Sequence, residues 1–291
     1  MVMLEIKPCI KTHIQFGNLL QMYYLNHVYV CDKMLKASNA DFNKFKLSVC
    51  FCSILCRFSS VMITDQHFVD LEKKGYAIVP NVLTKRECDQ AIAEYKTWLT
   101  NFGASFPKTY SSIIKDYNIG HVETTWRLRL RAKPVFEQLW KTDKLLTSFD
   151  AVAIGRPPEE SGEEFHTAKN CWLHADTSVS RVGLHAYEGA VFLEEQSRND
   201  WTIQVYEGSH KHVHDNLTSN PEKTKVTIKT GKFKMQSDDI EYLEHKKCRS
   251  VRLSVPKGGM VLWDNRLVWA NVRPLPVCVY IYLNYIKKDF Y

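Results

Sequence analysis

Trp172-Leu173-His174-Ala175-Asp176 is the stretch on which the reading of this chain turns. On extended backbone, residues i and i+2 point the same way, so His174 and Asp176 can close on one ion. One imidazole and one carboxylate make two thirds of the facial triad that holds non-haem Fe(II) with positions left open. Chance also supplies His-x-Asp in many chains, where the pair is a hydrogen bond in a loop. The flanks therefore carry the decision. On both sides the text is aromatic and β-branched: Asp150 to Ile154, His185 to Leu193, Trp201 to Tyr206, Val251 to Val255, Met260 to Trp263 and Val277 to Tyr285. In the last run Val279, Ile281 and Leu283 share one face and Tyr280, Tyr282 and Asn284 the other, which is the period of a strand.

Toward the N-terminus the period changes. Asp65 to Lys74 places Phe68 and Leu71 at helical spacing, with Gly75 as the stop. Tyr76 to Val79 reads as a short strand ended by Pro80. Thr84 and Glu87 then form a capping box, and Cys88, Ala91, Ile92, Tyr95, Trp98 and Leu99 fall on one face of the following helix. Helices first and many short strands later predict an α+β chain whose core is a β-sandwich or barrel. Lys223 to Lys234 alternates lysine with apolar residues around Thr230-Gly231 and reads as an exposed hairpin.

Residues 1–61 show no comparable order and hold one glycine, Gly17, and one proline, Pro8. The expectation is a poorly organised extension over 1–61 and one folded domain over 62–291, with Met62 at its start. That extension carries +4 of the formal net charge of +7. The remainder is nearly balanced, so charge gives no reason to expect a nucleic-acid partner. No apolar run reaches the length of a membrane span. Of nine cysteines, five (Cys9, Cys31, Cys50, Cys52, Cys56) lie in the extension, and the others have no zinc or redox spacing. A reducing compartment, intracellular and cytoplasmic, fits that usage.

Several segments, in order, resemble the phytanoyl-CoA dioxygenase family. They are His67 to Leu83 with the capped helix behind it, the His174/Asp176 motif, Gly189 to Glu195, Val205 to His210, and Lys257 to Arg266. The resemblance spans roughly residues 65 to 275. It implies a double-stranded β-helix (jelly-roll) core with the N-terminal helices packed on one side, Fe(II) and 2-oxoglutarate as cofactors, and His174 and Asp176 as metal ligands. The family places its second iron-binding histidine at position 269, where this chain has Trp269. Indole nitrogen is a donor only and offers a metal no lone pair. The family's arginine for the far carboxylate of 2-oxoglutarate should follow about ten residues later, yet no arginine follows Arg273.

Three readings result. The chain is a degenerate or inactive oxygenase-fold protein. Alternatively it is an active Fe(II)/2-oxoglutarate hydroxylase with substitute ligands, for which Asn271 and Arg273 share strand parity with Trp269. The third is a non-catalytic module that uses the barrel pocket for an unidentified small-molecule ligand or a peptide. His210, His212 and His214 alternate, which suggests a second metal, but Lys211 among them favours a solvated turn. His185 reads as a satisfied core histidine at the start of a strand.

Overall fold

The computed structural model describes residues 1–8 and 61–276, apart from 104 and 150. Two helices stand where the sequence expects them. Asp65–Lys74 (α1) starts after Thr64, whose backbone N–H is received by His67 Nδ1 at 2.9 Å. It stops at Gly75, in the left-handed region at φ 88°. Only glycine suits that corner, because an added Cβ would lie 2.5 Å from His210 Nδ1 and 2.7 Å from Leu267 Cδ1. Lys85–Leu99 (α2) carries the expected capping box: Thr84 Oγ1 accepts from Glu87 N at 3.2 Å, and Glu87 Oε2 accepts from Thr84 N at 2.8 Å. Cys88, Ala91 and Tyr95 are its buried stripe. A third helix, Glu123–Trp140 (α3), holds Pro134 in its interior and buries Leu128, Ala132, Val135 and Phe136.

Twelve strands make two antiparallel sheets among the described residues. They are Val2–Pro8 (β1), Tyr76–Val79 (β2), Ile113–Ile114 (β3), Leu145–Thr147 (β4), Val152–Ala153 (β5) and His174–Ala175 (β6). Then come Tyr187–Val191 (β7), Thr202–Glu207 (β8), Phe233–Lys234 (β9), Arg249–Arg252 (β10), Met260–Asp264 (β11) and Val268–Val272 (β12). The larger sheet runs β2-β11-β7-β1-β5-β3, with β4 on β1, and the smaller runs β10-β8-β12-β6-β9. From β5 to β8, and again from β10 to β12, the chain alternates between sheets. That is the double-stranded β-helix expected from the sequence.

Between the sheets lies an apolar core of Tyr76, Ala190, Ile203, Val205, Val261, Trp263, Leu267 and Trp269 with their neighbours. The outer face of the larger sheet receives α3. Gly189 allows the approach, since a Cβ there would fall 2.2 Å from Met260 Cε and 3.0 Å from Phe136 Cζ. The outer face of the smaller sheet is covered by a second core, with Val213, Leu217, Phe233, Met235 and Leu243 packed on Leu173, Ala175, Val268 and Ala270.

Two expectations need revision. Residues Pro221–Thr230 are a helix and not the arm of a hairpin, followed by the two-residue β9. Asn220 caps it, its Oδ1 accepting from Glu222 N at 2.9 Å, with Pro221 at the first position and Gly231 closing it at φ 72°. The lysine alternation concealed these signals. Lys223 turns inward to the buried Asp239, while Val226 and Ile228 are exposed. Asn220→Ala should lower stability by about 1 kcal/mol, read as a shifted urea midpoint with an unchanged slope. A midpoint that does not move would show that the cap carries no load.

The other revision concerns Val2–Pro8. The sequence placed no structure before Met62, yet these residues belong to the same compact unit as the chain from Met62 onward. β1 pairs from Val2 opposite Val191 to Ile6 opposite Tyr187 on one side, and with β4 and β5 on the other. The run Val277 to Tyr285 and six of the nine cysteines, Cys278 of that run among them, lie outside the described residues.

Candidate functional site

Strand register builds the site. Lys234 of β9 lies opposite His174 of β6, His174 opposite Trp269 of β12, and Trp269 opposite Val205 of β8. Residues directly opposite in antiparallel strands project to the same face. Since Val205 and Trp269 belong to the core between the sheets, His174 and Lys234 share that inner face.

His174 and Asp176 come together as predicted, with His174 Nε2 at 3.1 Å from Asp176 Oδ2. The Nδ1 of the same ring faces Trp172 O at 3.2 Å, so each imidazole nitrogen already meets an acceptor. The two expected ligands are thus closed on each other. Burial alone would push the Asp176 carboxyl up. The hydrogen bond and charge of His174, the charge of Lys232 and, least, the Trp269 indole outweigh it and hold the carboxyl below its usual range. Trp269 Nε1 makes no hydrogen bond of ordinary geometry, so its effect on Asp176 is that of a nearby dipole.

Aromatic rings fill the space beside the pair. His174 lies between Trp172, stacked at 4.4 Å and 16°, and Trp269, tilted at 4.8 Å. Trp263 continues the series 4.9 Å beyond Trp269. Trp263 and Trp269 are 1% and 2% exposed, and burial of an indole contributes on the order of 4 kcal/mol of transfer free energy. Trp269 is therefore a packed core residue at a position that faces His174.

The candidate substitutes are engaged elsewhere. Asn271 Nδ2 donates to Ser111 O at 3.0 Å, and its backbone carbonyl accepts from Trp172 Nε1 at 2.8 Å. Arg273 Nη1 donates to Glu164 O at 3.3 Å, with Nε 3.7 Å from Glu163 Oε2. The alternating histidines form no cluster. His210 is buried, not solvated as expected; its Nε2 lies 3.1 Å from Glu72 O, and burial pulls its imidazole below the ordinary histidine range. His214 lies 3.4 Å from Val179 O. His185 is satisfied by Val182 O at 2.9 Å, just ahead of β7 and not within it. Among the described residues no three His, Cys, Asp or Glu side chains are placed to hold a metal ion. A donor set of one imidazole and one carboxylate, with an indole in the third place, does not fit a facial-triad iron.

Sequence reasoning missed the mouth of the barrel. Trp172, Arg273 and Lys234 line a cavity of about 320 Å³ there, together with Lys169 and the segment Thr109 to Ser111. Only the parity of Lys234 with His174 could have signalled it, and that required the register of β9.

The chain is a double-stranded β-helix with the His-x-Asp pair on its inner face. No family profile matches it. It is 22% identical over 218 residues to Ava biosynthesis cluster protein O of Aspergillus versicolor, covering 68% of this chain and 69% of that one. Among solved structures it is similar to SnoK, the non-heme alpha ketoglutarate dependent carbocyclase of nogalamycin biosynthesis. The TM-score is 0.49 and identity 15%, over 73% of this chain and 78% of the other. It is also similar to EctD from S. alaskensis with 2-oxoglutarate and 5-hydroxyectoine (TM-score 0.46, 15% identity, 75% and 77% covered). A third is HygX from Streptomyces hygroscopicus with nickel and 2-oxoglutarate bound (TM-score 0.44, 16% identity, 74% and 82% covered). No described helix is long and apolar enough to cross a membrane.

Proposed function

We propose that this chain is a divergent protein of the phytanoyl-CoA dioxygenase type that does not turn over 2-oxoglutarate. The observation that carries the reading is Trp269, directly opposite His174 and 2% exposed, where the family's second histidine should stand. Among the described residues only His174 and Asp176 stand where the resembled family holds its metal, and they are joined to each other. The missing cosubstrate arginine supports the same conclusion independently, since the sequence has none after Arg273. Loss of a bidentate, charge-assisted pair would weaken 2-oxoglutarate by on the order of a hundredfold.

The mouth cavity favours a second reading within the first, that the barrel persists as a binding module for a small molecule. The free thiols of Cys88, Cys171 and Cys248 suit a reducing, cytoplasmic setting. We further take the folded unit to be residues 62–291 completed by β1.

The test is oxygen-dependent succinate release by the purified full chain with Fe(II), ascorbate and 2-oxoglutarate. The expected yield equals that of a His174→Ala control. Succinate well above that control would establish an active hydroxylase and end the proposal.

A further inference from the structure

We infer that the mouth of the barrel is a metal-independent binding site for a small organic dianion, held by Lys169, Lys234 and Arg273. The inference rests on the binding-module reading of the same barrel. The cavity, about 320 Å³, lies within the size range of small-molecule sites. Three cations and one carboxylate, Glu163, line it, leaving a formal charge of +2. The single internal neutralisation is loose, because Glu163 Oε2 stands 3.7 Å from Arg273 Nε. Neither Lys169 nor Lys234 has an ion-pair partner among the described residues.

The three cations come from separate elements, which makes their convergence a property of the fold. Lys169 sits in the 3-10 turn Ala168–Asn170, Lys234 ends β9, and Arg273 follows β12. Like charges gathered in a concave mouth raise the local concentration of anions.

Trp172 lines the cavity. Its ring lies on His174 at 4.4 Å, its Nε1 is committed to Asn271 O, and Tyr110 meets it edge-on at 5.2 Å. Neither His174 nor Asp176 lines the cavity, so a metal at that pair would not be among the groups that hold a ligand there. Hydroxyls of Thr109, Tyr110 and Ser111 on the wall suit a hydrophilic ligand over an apolar one. A dianion matches the charge, and two carboxylates or one phosphate monoester would supply it equally well.

The experiment is titration calorimetry of the full chain in EDTA at low ionic strength, with succinate, glycerol 3-phosphate and neutral succinamide as probes. One or both dianions should bind, succinamide should not, and added salt should weaken binding. Which dianion binds tells whether the source is a dicarboxylate or a phosphate ester. The double variant Lys169→Gln, Lys234→Gln, altering two exposed side chains, should melt like the parent and bind about tenfold more weakly. Arg273→Gln should weaken binding as well. No heat from either dianion, or equal affinity in the double variant, would overturn the inference while leaving the absence of turnover intact. Binding that needs Fe(II) would overturn it too, and succinate release would then separately decide the fate of the inactive reading.

Discussion

Trp269→His is expected to make the stability of this protein depend on a divalent metal, which the parent's does not. Removing a fully packed indole should cost about 3 kcal/mol, within the range for large-to-small changes in a core. The introduced imidazole would face His174 across the register of β6 and β12, beside Asp176, and complete the donor set that the parent lacks. Ni(II), or Fe(II) without oxygen, at a hundredfold excess over its dissociation constant should then return about 2.7 kcal/mol. The midpoint of thermal unfolding should rise with metal in the variant and stay fixed in the parent. Adding His174→Ala to the variant should abolish the rise. On the proposed reading succinate release should remain near background, because the sequence supplies no arginine after Arg273. A parent whose midpoint rises equally with metal would show that position 269 is not what excludes the ion.

Deleting residues 1–61 should lower the melting midpoint by more than about 10 °C. β1 is an interior strand of the larger sheet, between β7 and β5. Without it the sheet separates into β2-β11-β7 and β5-β3, and backbone groups on both new edges lose their partners. Several ladder hydrogen bonds at roughly 1 kcal/mol each amount to about 5 kcal/mol, and each kcal/mol moves a domain of this size by about 2–4 °C. A deletion of residues 1–8 alone should reproduce the loss. If residues 62–291 melt like the full chain, β1 contributes nothing to the fold and the boundary belongs at Met62.

Local signals were the legible part. The caps at Gly75 and Thr84 are set by neighbours within four residues, and they read correctly from the sequence. So did β2 and β11, whose apolar text is bounded by turns. The closeness of His174 and Asp176 was legible because i, i+2 on a strand is a local relation, and Trp269 stood out because the resembled family would place a histidine there. What failed was either masked or non-local. The helix Pro221–Thr230 has a period-two lysine pattern laid over a helical cap. His210 looks like part of a solvated turn until α1 arrives against it, with Glu72 O at its Nε2. Lys234 and Arg273 share a cavity only after two distant strands have been set in register with β6. β1 contains an alternation of Val2, Leu4 and Ile6 with Met3, Glu5 and Lys7, but its partners, Leu145–Thr147, Val152–Ala153 and Tyr187–Val191, lie in the middle of the chain.

The placement of β1 also orders events in time. Val2–Pro8 is synthesised before every other described strand, yet its neighbours are β5 and β7, and Val2 comes to rest beside Val191. During synthesis it has no sheet to join, and the gap between β5 and β7 has no occupant except a segment already long displaced along the chain. Closing so large a loop is slow, since its entropy must be lost before pairing compensates. Through that interval the facing edges of β5 and β7 and the waiting segment are open to strands of other chains. The yield of native protein should accordingly fall with concentration during refolding, with the first eight residues as the point of exchange.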